Sequence, residues 1–105
     1  MLFDARTVRR DGWTVVSVVG EIDLATLTGV RRELGRAEGD RVAIDLSSVD
    51  YIDPLALGVL IAGALRVTRR DGRFVVVSPA GRARDLLAET RLDQVLEVLP
   101  ELPTD

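Results

Sequence analysis

The sequence predicts an α/β fold: an N-terminal β-hairpin, then alternating helices and strands in a mixed, mostly parallel sheet. Three observations carry this. Asp11-Gly12 is a two-residue turn of the kind that tolerates positive φ, and a β-branched run follows it. Leu27, Val30, Leu34 and Ala37 recur at spacings of three and four, the stripe of an amphipathic helix. Two short apolar runs, 42–46 and 74–77, are each followed by a further helical pattern.

Residues from about Phe3 to Arg10 form the first strand, and their weak alternation places it at an edge. The second runs from Trp13 to Val19 with Val on both faces, the pattern of a strand covered on both sides. The first helix has Asp23 or Thr26 as its cap, Gly39 as its end, and Arg31, Arg32, Glu33 and Arg36 off its apolar stripe. A strand follows at 42–46, and 47–52 reads as a loop leading to Asp53-Pro54, an N-cap carboxylate followed by proline at the first helical position. The second helix is apolar all round at first, turns basic at Arg66 and stops near Gly72. Phe74 to Val77 is a buried strand, and Ser78-Pro79 repeats the cap-then-proline device for a third helix through about Glu89. Residues 93–98 read as a helical turn into a short strand, and Pro100 and Pro103 mark a short tail over 99–105.

A chain of 105 residues, 47% hydrophobic and 30% charged, has the size of one domain, 1–105. It contains no His, Cys, Lys or Asn, and all 14 basic side chains are Arg. Those absences exclude a Ser-His-Asp or Cys-His nucleophile pair, an ordinary zinc site, disulfides, a Schiff-base lysine and a Walker A lysine. Only Asp and Glu remain for acid-base work, so the expectation is a binding module and not an enzyme, with no catalytic residue and no cofactor. The 17 acids outnumber the arginines and are interspersed with them, which argues against a nucleic-acid partner. Arg66, Arg69 and Arg70 form the densest basic cluster, and a solvated helix end accounts for them. The longest uncharged run, 54–65, is too short for a membrane span, which needs roughly 20 apolar residues. With no apolar core in the N-terminal segment and no Cys, the expected location is cytoplasmic, away from any membrane.

In parallel sheets the useful surface lies beyond the carboxyl ends of the strands. That edge should hold Glu21, Ile22 and Asp23, then 47–57, then 78–81. Asp23, Asp50 and Asp53 have two readings there. They form a carboxylate cluster for Mg²⁺ or phosphoryl transfer, or Asp23 and Asp53 cap helices while Asp50 shapes a loop. The second is preferred, so no metal site is expected, and the glycines contain no phosphate-cradling loop. Thr26, Ser47 and Ser48 suit turns and caps better than nucleophiles. Tyr51, Leu55 and Leu57 are apolar at an edge where ligands bind, which suggests a protein contact, although core packing explains Leu57 equally well.

Several segments resemble one family. They are Val18-Val19-Gly20-Glu21-Ile22-Asp23, Ala43-Ile44-Asp45-Leu46-Ser47, and Tyr51-Ile52-Asp53 with Leu57-Gly58-Val59-Leu60. Val77-Ser78-Pro79, Leu86-Leu87 and Leu92-Asp93-Gln94-Val95 continue the series. In order and spacing they resemble the STAS domain family, the anti-sigma factor antagonists of bacteria, over nearly the whole chain. The resemblance implies a partner: an anti-sigma factor of histidine-kinase-like fold that also acts as a serine kinase, and whose capture releases a sigma factor. It implies a partner-binding surface of Asp23, Asp53, Pro54, Leu55, Ala56, Leu57 and Gly58. In the family, phosphorylation of a serine at the start of the second helix abolishes binding, since a phosphate adds a charge of about −1.5 to −2.

The family pattern at that turn resembles Asp-Ser-Ser/Thr-Gly-Leu-Gly, and here it reads Asp53-Pro54-Leu55-Ala56-Leu57-Gly58. Leu55 stands where the phosphoacceptor hydroxyl belongs, so phosphorylation at the family position is not expected. Two alternatives stay open. One is a STAS scaffold or oligomerising regulator that does not act on a sigma factor, a homodimer included. The other, with least support, is a phosphoacceptor or enzyme using Ser47, Ser48 or the acid cluster.

Overall fold

The computed structural model describes residues 2–104. Five strands lie in one sheet in the order β1 (Asp4–Arg10), β2 (Trp13–Ile22), β3 (Arg41–Ile52), β4 (Arg73–Val77) and β5 (Glu97–Leu99). β1 and β2 are antiparallel across Asp11 and Gly12, whose φ values of 52° and 85° give the positive-φ pair that a tight hairpin requires. Each later pairing is parallel. The connections carry α1 (Leu27–Arg36), α2 (Leu57–Arg69, entered through a 3₁₀ turn at Pro54–Ala56) and α3 (Arg82–Glu89). The expected hairpin, the alternation and the edge position of β1 are all present.

The helices pack on one face of the sheet. Val30 and Leu34 from α1, Val59, Leu60 and Val67 from α2, and Ala83 and Leu87 from α3 join Val16, Val42, Ile44 and Val76 in one apolar cluster. Each Val, Leu or Ile among them contributes about 1.5–3 kcal/mol by leaving water. The opposite face has a smaller cluster of Trp13, Val15, Ala43, Val75 and Val77, with Val8, Leu99 and Leu102 against it. β2 is thus buried on both sides as expected, but helices supply only one cover. On the other side the Arg41 and Arg73 guanidiniums lie 5.6 and 5.5 Å from the Trp13 ring centroid, a cation–π arrangement. Trp13 is fully buried beneath them.

Three expectations need correction. Residues 47–52 are not a loop but the second half of β3. They pair with β2 through two register shifts: Ser17 faces Asp45 and Val19 faces Ser48, then Gly20 faces Val49 and Glu21 faces Tyr51. Each shift puts one extra residue on β3, a bulge that lets exposed polar side chains sit in a strand. Second, Ser78 does not cap α3. It is buried, its N–H donates to the Leu99 carbonyl at 2.8 Å, and α3 begins after Gly81, whose φ is 151°. Third, the segment expected as a tail from 99 is partly held, since Leu99 closes β5 and Leu102 packs on the Trp13 cluster.

Candidate functional site

The carboxyl ends of β2 and β3 finish together, with Ile22 opposite Ile52, and both chains then turn into helices. The Asp53 N–H donates to the Ile22 carbonyl at 2.8 Å, which ties the two turns to each other. At the first turn, Asp23 Oδ1 accepts from the Ala25 and Thr26 amides at 2.9 and 3.0 Å, while Thr26 Oγ1 accepts from the Asp23 amide at 2.9 Å. This reciprocal pair is a capping box built from Asp and Thr. Thr26 Oγ1 also donates to the Glu21 carbonyl at 2.7 Å, which fastens the start of α1 to the end of β2. Asp23 and Thr26, the two alternative caps in the sequence, act together.

At the second turn Asp53 Oδ1 accepts from the Leu55 amide at 2.9 Å, with Pro54 at the first helical position. This is the cap-then-proline device expected here. The two carboxylates therefore satisfy helix-start amides. Asp50 is the exposed bulge residue of β3, and no group of three or more metal-ligating side chains occurs among the described residues. Ser47 Oγ donates to Asp45 Oδ1 at 2.6 Å, and Ser48 is exposed on the same strand, upstream of the helix start.

The residues singled out in the sequence divide in two. Pro54, Leu55 and Gly58 are exposed, Leu55 at 62%, whereas Ala56 and Leu57 turn inward at 2% and 8%. Ala56 and Leu57, expected at the contact, pack in the core beneath the helix start. Leu24 in the turn after β2 and Tyr51 near the end of β3 are also exposed at this end. A lone leucine in a turn carries no periodic signal, so the sequence does not single out Leu24. Arg31, expected off the apolar stripe of α1, and Arg66, expected at a solvated helix end, come together here. With Leu55, Gly58, Val59 and Ala62 they line a groove of about 250 Å³ between α1 and α2. Residues 58, 59, 62 and 66 share one face of α2, and Leu55 in the 3₁₀ turn before it continues that line; the sequence shows this face but not the α1 side that makes it a groove.

The chain can now be placed among known proteins. The model of the STAS domain matches residues 4–104. An anti-sigma-B factor antagonist of Listeria monocytogenes is 30% identical over 86 residues, which cover 79% of this chain and 75% of the relative. The crystal structure of an anti-sigma factor antagonist from Mycobacterium paratuberculosis superposes with a TM-score of 0.87 at 29% identity, over 96% of this chain and 88% of that one. The antagonist SpoIIAA in its unphosphorylated form shares the fold, with a TM-score of 0.61 at 16% identity over 90% of this chain and 97% of its own. A hairpin-led five-stranded sheet, a second helix started by Asp53, and a family match running from β1 past β5 lead to one conclusion: the chain belongs to the STAS domain family.

Proposed function

We propose that the protein is an anti-sigma factor antagonist whose contact surface is the paired helix starts after β2 and β3. Asp23, Asp53, Pro54, Leu55 and Gly58 form that surface, and Ala56 and Leu57 hold it from below. The observation that carries the proposal is Leu55, an apolar side chain left 62% exposed on the first turn of a well-capped helix. Leu24 and Tyr51, exposed at the same end of the sheet, support it. Exposed apolar residues at one end of the sheet suit a protein partner, since the centre of an interface is apolar and depleted of charge.

The partner is an anti-sigma factor of histidine-kinase-like fold, and its capture frees a sigma factor in the cytoplasm. Because Leu55 has no hydroxyl, phosphorylation at this position does not switch the module off. No helix of the described residues is long and apolar enough to cross a membrane. Titration calorimetry against the kinase-fold anti-sigma factors of the same genome tests the proposal. Saturable binding by one of them, weakened by Leu55→Asp, is the expected result, and no heat with any of them overturns it. The same apolar set also fits contact with a second copy. Light scattering over a wide concentration range separates the two readings, because a growing dimer fraction that masks Leu55 would favour self-association.

A further inference from the structure

We infer that the groove between α1 and α2 takes an acidic amphipathic segment of the partner, with its apolar residues over Leu55, Gly58, Val59 and Ala62 and its carboxylates on Arg31 and Arg66. This rests on the binding-module reading and extends it from the helix start along the length of α2. Three features support the occupant. The groove has cationic side chains and no carboxylate among its lining residues, on a chain whose net charge is −3. The Arg31 and Arg66 side chains have no hydrogen bond or ion pair among the described residues, whereas Glu33 on α1 already accepts from Thr7 and pairs with Arg36. Between the guanidiniums the wall is apolar, so a bare anion leaves it uncovered and an amphipathic segment does not.

Gly58 adds an independent point. A Cβ built there meets nothing within 4 Å, so no internal packing requires glycine, and glycine is a poor residue for a helix. Its effect is to keep the groove open to the backbone of α2 beside Leu55. Gly35 on α1 has equally open surroundings but does not line the groove.

The test needs no anti-sigma factor. Isotopically labelled full-length protein is titrated with a synthetic peptide of about 15 residues or more, enough to support a helix, bearing a leucine stripe flanked by glutamates. Its lysine-for-glutamate and scrambled counterparts and inorganic phosphate serve as comparisons. Saturable amide shifts confined to residue 31 and residues 55–66 are expected, with at least about tenfold weaker binding for the lysine peptide and for the Arg31→Glu, Arg66→Glu double variant. Gly58→Ala should weaken the peptide several-fold, and Gly35→Ala should not.

The inference is overturned by absent shifts, by equal binding of the lysine peptide, by shifts gathered on the Trp13 face, or by phosphate alone reproducing the pattern. Peptide binding without capture of any anti-sigma factor would sink the antagonist reading alone. Capture without peptide binding would sink only the groove.

Discussion

Replacing Gly58 with alanine should make the protein more stable. Glycine inside a helix is less favourable than alanine by about 0.8–1.0 kcal/mol, because the unfolded chain has more backbone freedom to lose. Two local facts allow that gain to appear. The added Cβ has open space around it, and Gly58 is not among the glycines held at positive φ. The gain is reduced because Gly58 lies near the start of the helix, where fraying dilutes propensity, so about 0.5–1 kcal/mol is expected. In a domain of this size that raises Tm by roughly 2–8 °C. Far-UV circular dichroism melts of the wild type, Gly58→Ala and Gly35→Ala at two protein concentrations measure it. Gly35 lies in the last turn of α1, so its gain should be the smaller. A Tm for Gly58→Ala at or below that of the wild type would refute the reasoning, since it would mean the backbone there needs glycine for a folded-state reason that the open surroundings do not reveal.

The opposite outcome is expected at Gly20, where φ is 101° and an added Cβ would stand 2.1 Å from the Leu2 carbonyl oxygen. Gly20→Ala should lose more than about 2 kcal/mol in urea unfolding, and a loss under about 0.5 kcal/mol would contradict the close approach. Asp53→Ala removes the acceptor for the Leu55 amide and should cost about 1 kcal/mol, with Asp53→Asn recovering most of it. Leu55→Ser and Leu55→Asp should change stability by no more than about 0.5 kcal/mol, because the side chain is largely in solvent. Incubated with a captured kinase-fold partner and ATP, Leu55→Ser should gain one phosphate by intact mass while the wild type gains none. A phosphate on the wild type would point to another acceptor.

How far the sequence could be read depended on whether each feature was local. The hairpin turn at Asp11-Gly12, the stripe of α1 and the Asp53-Pro54 start of α2 are settled within a few residues, and each was legible. The second half of β3 was not. Ser47, Ser48 and Asp50 look like a loop because their polarity reflects an exposed face, and the bulges that keep them in the sheet are defined only by the partner strand. Ser78-Pro79 imitates a helix cap, yet the backbone of Ser78 is claimed by β5, a neighbour distant in sequence. At the site, the sequence located the exposed turn and raised core packing for Leu57 but could not decide it, because which of two apolar residues faces inward depends on how the helix lies on the sheet. The α1–α2 groove was further out of reach, since it exists only once two helices are packed side by side.

The burial of Trp13 also decides what can be seen spectroscopically. It is the chain's one tryptophan, and it opens β2 while the paired helix starts lie past the other end of that strand. The separation is roughly 30 Å at about 3.3 Å per strand residue. Intrinsic emission therefore reports whether the arginine-covered face of the sheet is intact and is silent about events at Leu55. Urea should shift the emission to the red as the indole enters water. A tryptophan-free ligand seated at the helix starts should leave the spectrum where it was, and any change on adding one would place the contact at the wrong end of the molecule.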